Sequence, residues 1–90
     1  MKRPDKNISG RNIAAARKAH RPPLTQLELS KRAKAAGADL DRAAIAKIEN
    51  GLRGVLDFEL GALARSLGLS PMRLLAPKAP GERRRSQRRA

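Results

Sequence analysis

Arg42, Ala43, Ala46 and Lys47 are the residues whose types and spacing offer chemistry, because Ile45 and Ile48, three apart, claim the other side of any helix drawn through them. A guanidinium at Arg42 can fork onto O6 and N7 of a guanine. The Ala43 methyl can rest on a thymine methyl, and Lys47, one turn further, can reach a base or a phosphate. Asp41 is the only acid near the start of this segment, where it fits a helix cap, and Glu49 falls off the Arg42–Lys47 side. Thr25 and Gln26 open another helix, where backbone amides point at an anion. Other chemistries are poorly supplied. His20 is the single histidine and cysteine is absent, which speaks against zinc sites, disulfides and a nucleophile triad. His20 itself reads as a solvent-facing residue near a helix end. Phe58 is the only aromatic residue, too few for stacking unpaired bases; it reads as a filler at a helix start or part of a dimer face. No paired carboxylates stand with a histidine and no Gly-rich phosphate loop occurs, so an enzyme is the poorest reading, and no metal or cofactor is expected.

The elements that must hold these residues are helices. Alternating β-branched runs do not occur, whereas Ala, Leu, Arg and Lys abound. Ser9 can cap a helix with Ile8 and Ile13 as its apolar staple. Thr25-Gln26-Leu27-Glu28 spells a capping box, with Leu24 and Leu29 as staple. Asp41 caps a third helix, stapled by Leu40 and Ile45. Asp57 starts a fourth, with Leu60, Leu63, Ala64 and Leu67 stepping by three and four, and Gly68 ends it. Ser70-Pro71 opens a fifth, and Pro22-Pro23 breaks the first. The expectation is an all-α, compact five-helix bundle with helices near 9–20, 25–36, 41–50, 57–67 and 70–76. Its core would be Ile13, Leu24, Leu29, Ala33, Leu40, Ile45, Ile48, Leu56, Leu60, Leu63, Leu67, Leu69 and Leu74.

The chain divides into a basic arm 1–7, one domain 8–76 and a tail 77–90 without leucine, isoleucine or valine, expected to be disordered. Lys plus Arg number 21 against 8 Asp plus Glu, a net +13, and the tail alone carries six basic residues and one acidic, a net +5. That leaves +8 on the rest, so the folded part is basic in its own right. Such a balance implies a polyanionic partner. The tail reads equally as a solubilising appendage or as an arm adding phosphate contacts. No signal peptide and no apolar run near the ~20 residues of a membrane span is visible, so the expected setting is cytoplasmic, and on DNA nucleoid-associated.

Two helices, 25–36 and 41–50, joined across Gly37-Ala38-Asp39-Leu40, form a helix-turn-helix unit, whose second helix enters the major groove N-terminal end first. Three blocks in order carry a resemblance: Leu24-Thr25-Gln26-Leu27-Glu28-Leu29-Ser30, Ile45-Ala46-Lys47-Ile48-Glu49-Asn50-Gly51, and Glu59-Leu60-Gly61-Ala62-Leu63-Ala64-Arg65-Ser66-Leu67-Gly68-Leu69-Ser70. Over residues 8–76 the chain resembles the lambdoid-repressor/Cro (XRE-type) family of helix-turn-helix domains. The resemblance implies operator binding as a two-fold dimer. It implies DNA contacts from Gln26, from Arg42 and Ala43 at the recognition-helix start, from Lys47, and from Arg53 in the following loop. It also implies an Arg17–Glu49 pair joining the first helix to the recognition helix, where the bland reading is a surface pair worth ~0–1 kcal/mol. Three features depart from the family pattern: a longer stretch from Ala33 to Leu40, the Pro22-Pro23 link, and the alanines Ala43, Ala44 and Ala46, which leave few polar groups for reading sequence.

The leading functional expectation is a sequence-specific regulator of transcription, a repressor binding double-stranded DNA as a homodimer. An antitoxin that represses its own promoter, with an unidentified toxin as partner, is a variant of it. A non-specific basic DNA coat is the alternative that the net charge favours. A membrane-surface module is weaker, since the tail lacks an inserting apolar face.

Overall fold

The computed structural model describes residues 8–76; the expectations for the arm 1–7 and the tail 77–90 lie outside the described residues. Five helices follow in chain order: α1 (Ile8–Ala19), α2 (Gln26–Ala35), α3 (Arg42–Glu49), α4 (Asp57–Leu67) and α5 (Pro71–Leu74). No strand occurs among the described residues, and the fold is all-α. None of these helices is long and apolar enough to cross a membrane.

Local chemistry sets most of the boundaries. Thr25 is extended at φ −81°, ψ 167°; its hydroxyl accepts from the Glu28 amide at 3.0 Å, while Glu28 Oε1 accepts from the Thr25 amide at 2.8 Å. The box thus satisfies two amides that the first turn leaves without an intrahelical acceptor. Asp41, at φ −82°, ψ 177°, caps α3 by accepting from the Ala44 amide at 2.8 Å. Gly68 closes α4 at φ 73°, a left-handed conformation that costs glycine nothing and other residues much. Pro71 takes the first position of α5 behind Ser70, whose hydroxyl makes no capping bond. Ser9 is a correction. The chain is already helical at Ile8, so Ser9 lies inside the first turn instead of capping it. First-turn amides lack intrahelical acceptors, so a short hydroxyl side chain is tolerated inside this turn at little cost.

The core lies where α2 packs on α3 and α4, and α1 packs on α3, α4 and α5. Ile13, Leu29, Ala33, Ile45, Ile48, Leu63 and Leu74 are wholly buried, with Leu24, Leu40 and Leu67 nearly so. Leu60 and Leu69 are half-buried against them. Leu56 departs from expectation at 59% exposed. It stands in extended backbone before α4, anchored by its amide, which donates to Glu59 Oε1 at 3.0 Å, and its side chain points away from the core. The core also includes small residues that the apolar pattern underweights: Ala16, Ala38, Ala62 and Ala64 are buried. Two buried polar groups lock the ends together. Asn12 Nδ2 on α1 donates to the carbonyls of Leu74 at 2.8 Å and Ala76 at 2.7 Å, holding the last turn of the bundle. Ser30 Oγ on α2 donates to the Leu40 carbonyl at 2.7 Å, fixing the turn that leads into α3.

Candidate nucleic-acid interface

α3 is held by one face and leaves the other uncovered. Ile45 and Ile48 are fully buried, whereas Arg42, Ala43 and Lys47 are exposed and Ala46 is half-buried. At about 100° per residue, Arg42, Ala46, Ala43 and Lys47 fall within an arc of about 140°, opposite the isoleucines. No acidic residue lies in the first turn of α3. The cap Asp41 spends a carboxylate oxygen on the helix's own amide. The uncovered arc therefore carries two cations, two methyl groups and no negative charge.

Glu49, the last residue of α3, is drawn off this arc. Its carboxylate accepts a forked pair of bonds from Arg17, Nε to Oε2 at 2.7 Å and a terminal nitrogen to Oε1 at 2.9 Å. The two side chains are 12% and 6% exposed, so the pair is sheltered and not a solvated surface contact. The bond to Glu49 raises the Arg17 pKa against the opposing pull of burial. The other terminal nitrogen of Arg17 donates to the Leu24 carbonyl at 2.9 Å. Arg17 thus clasps α1, the link before α2 and the end of α3, the connection expected of an Arg17–Glu49 pair. Gln26, the first residue of α2, also reaches Glu49: its Nε2 donates to Oε1 at 3.0 Å. No sequence spacing signals that contact, because the two residues stand 23 apart.

The remaining site residues fall in different places. Thr25 is exposed, and its hydroxyl is engaged in the capping box. Arg53 is turned toward α4. Its two terminal nitrogens meet Glu59 Oε1 and Oε2, each at 2.9 Å, and one of them also donates to the Gly54 carbonyl at 2.9 Å. Glu59 is 7% exposed on its side chain and is held below the usual carboxylate range by that fork, with the Leu56 amide assisting against burial. The fork of Arg53 is therefore committed to fixing the α3–α4 loop, and its side chain remains 34% exposed. The role of Glu59 carries no local signal in the sequence. The segment before it, Leu56-Asp57-Phe58, lacks the Ser or Thr that would have announced a capping box. His20 is half-buried, with Nδ1 donating to the Pro22 carbonyl at 2.8 Å. No group of His, Asp or Glu capable of holding a metal occurs among the described residues.

No protein-family model, no curated protein and no solved structure matches this chain. The fold and the residues themselves carry the functional reading.

Proposed function

We propose that the chain is a helix-turn-helix DNA-binding protein that regulates transcription, with α2, the 36–41 turn and α3 as the DNA-reading unit. In this reading α3 enters the major groove by its N-terminal end. Arg42 forks onto a guanine edge, Ala43 meets a thymine methyl, and Lys47 meets a base or phosphate. Gln26 donates from the head of α2 to a phosphate, and Arg53 offers what remains of its surface to the backbone. Two copies occupy successive grooves on one side of the duplex, about 34–36 Å apart, and occupation of a promoter excludes polymerase. The net +13 supplies the salt-dependent, sequence-independent part of the affinity.

The observation that carries this reading is the division of α3: two buried isoleucines on one side, an acid-free arc with Arg42 and Lys47 on the other, with Asp41 at its start engaged in capping the helix and Glu49 at its end paired with Arg17. Selection of bound duplexes from a random pool tests it. The expected result is an enriched inverted repeat that a random duplex displaces on the order of 10³-fold less well than the selected site itself. Equal displacement by random DNA would make the chain a basic coat protein instead.

A further inference from the structure

Gln26 holds a defined orientation because of what it touches. A carboxylate only accepts, so the carboxamide must turn Nε2, not Oε1, toward Glu49. One of its two amide hydrogens is spent there. The planar amide then fixes the direction of the second hydrogen and of Oε1. Glu49 cannot drift, because Arg17 grips both its oxygens and is itself tied to the Leu24 carbonyl. The half-buried Gln26 side chain is thus fastened to the end of the helix whose other residues form the exposed arc.

We infer that Glu49, clamped by Arg17, is the positioning residue that presets Gln26 as a phosphate donor, so that the α1–α3 ion pair fixes the register of α2 on a nucleic-acid backbone. This rests on the DNA-binding reading above and assigns the ion pair a role within it. The pair touches no ligand. It removes the rotamer freedom that Gln26 would otherwise lose on binding, which is how preorganisation adds affinity.

The test uses the full chain and a mixed-sequence duplex of about two helical turns, since a phosphate contact is independent of sequence. Arg17→Met/Glu49→Met leaves net charge unchanged, and replacing a buried pair by apolar side chains of similar size is usually tolerated. Gln26→Ala is expected to weaken duplex binding about tenfold in the native chain, the scale of a hydrogen bond to a charged group. In the double-Met background it should weaken binding hardly at all. The salt slope should stay unchanged throughout, because a neutral donor releases no counterion. A Gln26→Ala loss of equal size in both backgrounds overturns the inference. Should the double-Met chain not fold, the native protein still decides. Its Gln26 side-chain amide protons should be shifted from the values of a free glutamine side chain, the one facing Glu49 protected from exchange, and the duplex should move the other. Free-glutamine shifts with no exchange protection, or a duplex that moves α3 amides but neither Gln26 proton, overturn the inference while leaving DNA binding intact. A native chain that binds no duplex overturns the DNA reading and this role together.

Discussion

Arg42 is placed where helix physics disfavours it. It occupies the first position of α3, where the amide ends present a partial positive charge, and a cation there costs about 0.3–1 kcal/mol. On the DNA-binding reading a phosphate or base edge offsets that cost. Two opposite signs follow. Arg42→Ala should leave the protein unchanged or more stable by up to about 0.5 kcal/mol in a denaturant titration. The same change should cost about 1–3 kcal/mol in DNA binding and relax selectivity at one base position. An equal loss on every sequence would make Arg42 a phosphate contact. Phe58 carries a contrasting expectation. At 60% exposed it lends little to the core, so Phe58→Ala should move stability by no more than about 0.5 kcal/mol. A larger loss of melting temperature would show that the ring is covered in the protein as it exists in solution.

The elements were legible wherever their signal is local, and obscure wherever a distant residue decides. Thr25, Glu28 and Asp41 lie within three residues of the amides they satisfy, so the starts of α2 and α3 could be read from the chain. The apolar step from Ile45 to Ile48 likewise told which side of α3 is buried. Leu56 is expected in the core and stands exposed, whereas no local signal announces the burial of Glu59. Hydropathy puts leucine inside and glutamate outside, but Glu59 is buried because Arg53 and the Leu56 amide satisfy its oxygens, and that arrangement turns Leu56 to solvent. The clasp of Gln26 to Glu49 joins different helices and exists only once the bundle has formed. The Glu59 arrangement has a pH consequence. Its folded pKa lies below the unfolded value, so the folded state gives up the proton more readily. This contribution is complete above the unfolded pKa of about 4.3 and is lost as pH falls through the folded value. Melting temperature should therefore drop on acidification below about pH 4. Glu59→Gln should flatten that drop and cost about 2–3 kcal/mol at neutral pH, by leaving Arg53 without its fork. An acid profile identical to that of the native chain would show that other carboxylates govern it.

At the scale of the whole molecule, a small core and a large charge divide the work. Among the described residues the buried side chains all lie between Asn12 and Leu74, and Asn12 ties the far end of the bundle back to α1 through the Leu74 and Ala76 carbonyls. The segment 78–90 adds six basic residues and one acid, a net +5 of the total +13, with no leucine, isoleucine or valine to bury. Folding and charge should therefore separate on truncation. Ending the chain after Pro77 keeps the Ala76 carbonyl as an amide acceptor for Asn12, whereas ending it one residue earlier would put a terminal carboxylate there. The shortened chain should retain its helical circular dichroism and its melting temperature within about 2–4 °C, since the buried core among the described residues is kept whole. Its DNA affinity should fall, and the slope of log K against log salt should flatten by about 0.9 for each tail cation that meets a phosphate. The ratio of selected to random duplex should survive, because a phosphate contact carries no sequence information. A truncated chain that melts early would give the tail a structural role. One that loses selectivity but keeps its salt slope would move base reading out of α3, and with it the assignment of Arg42, Ala43 and Lys47.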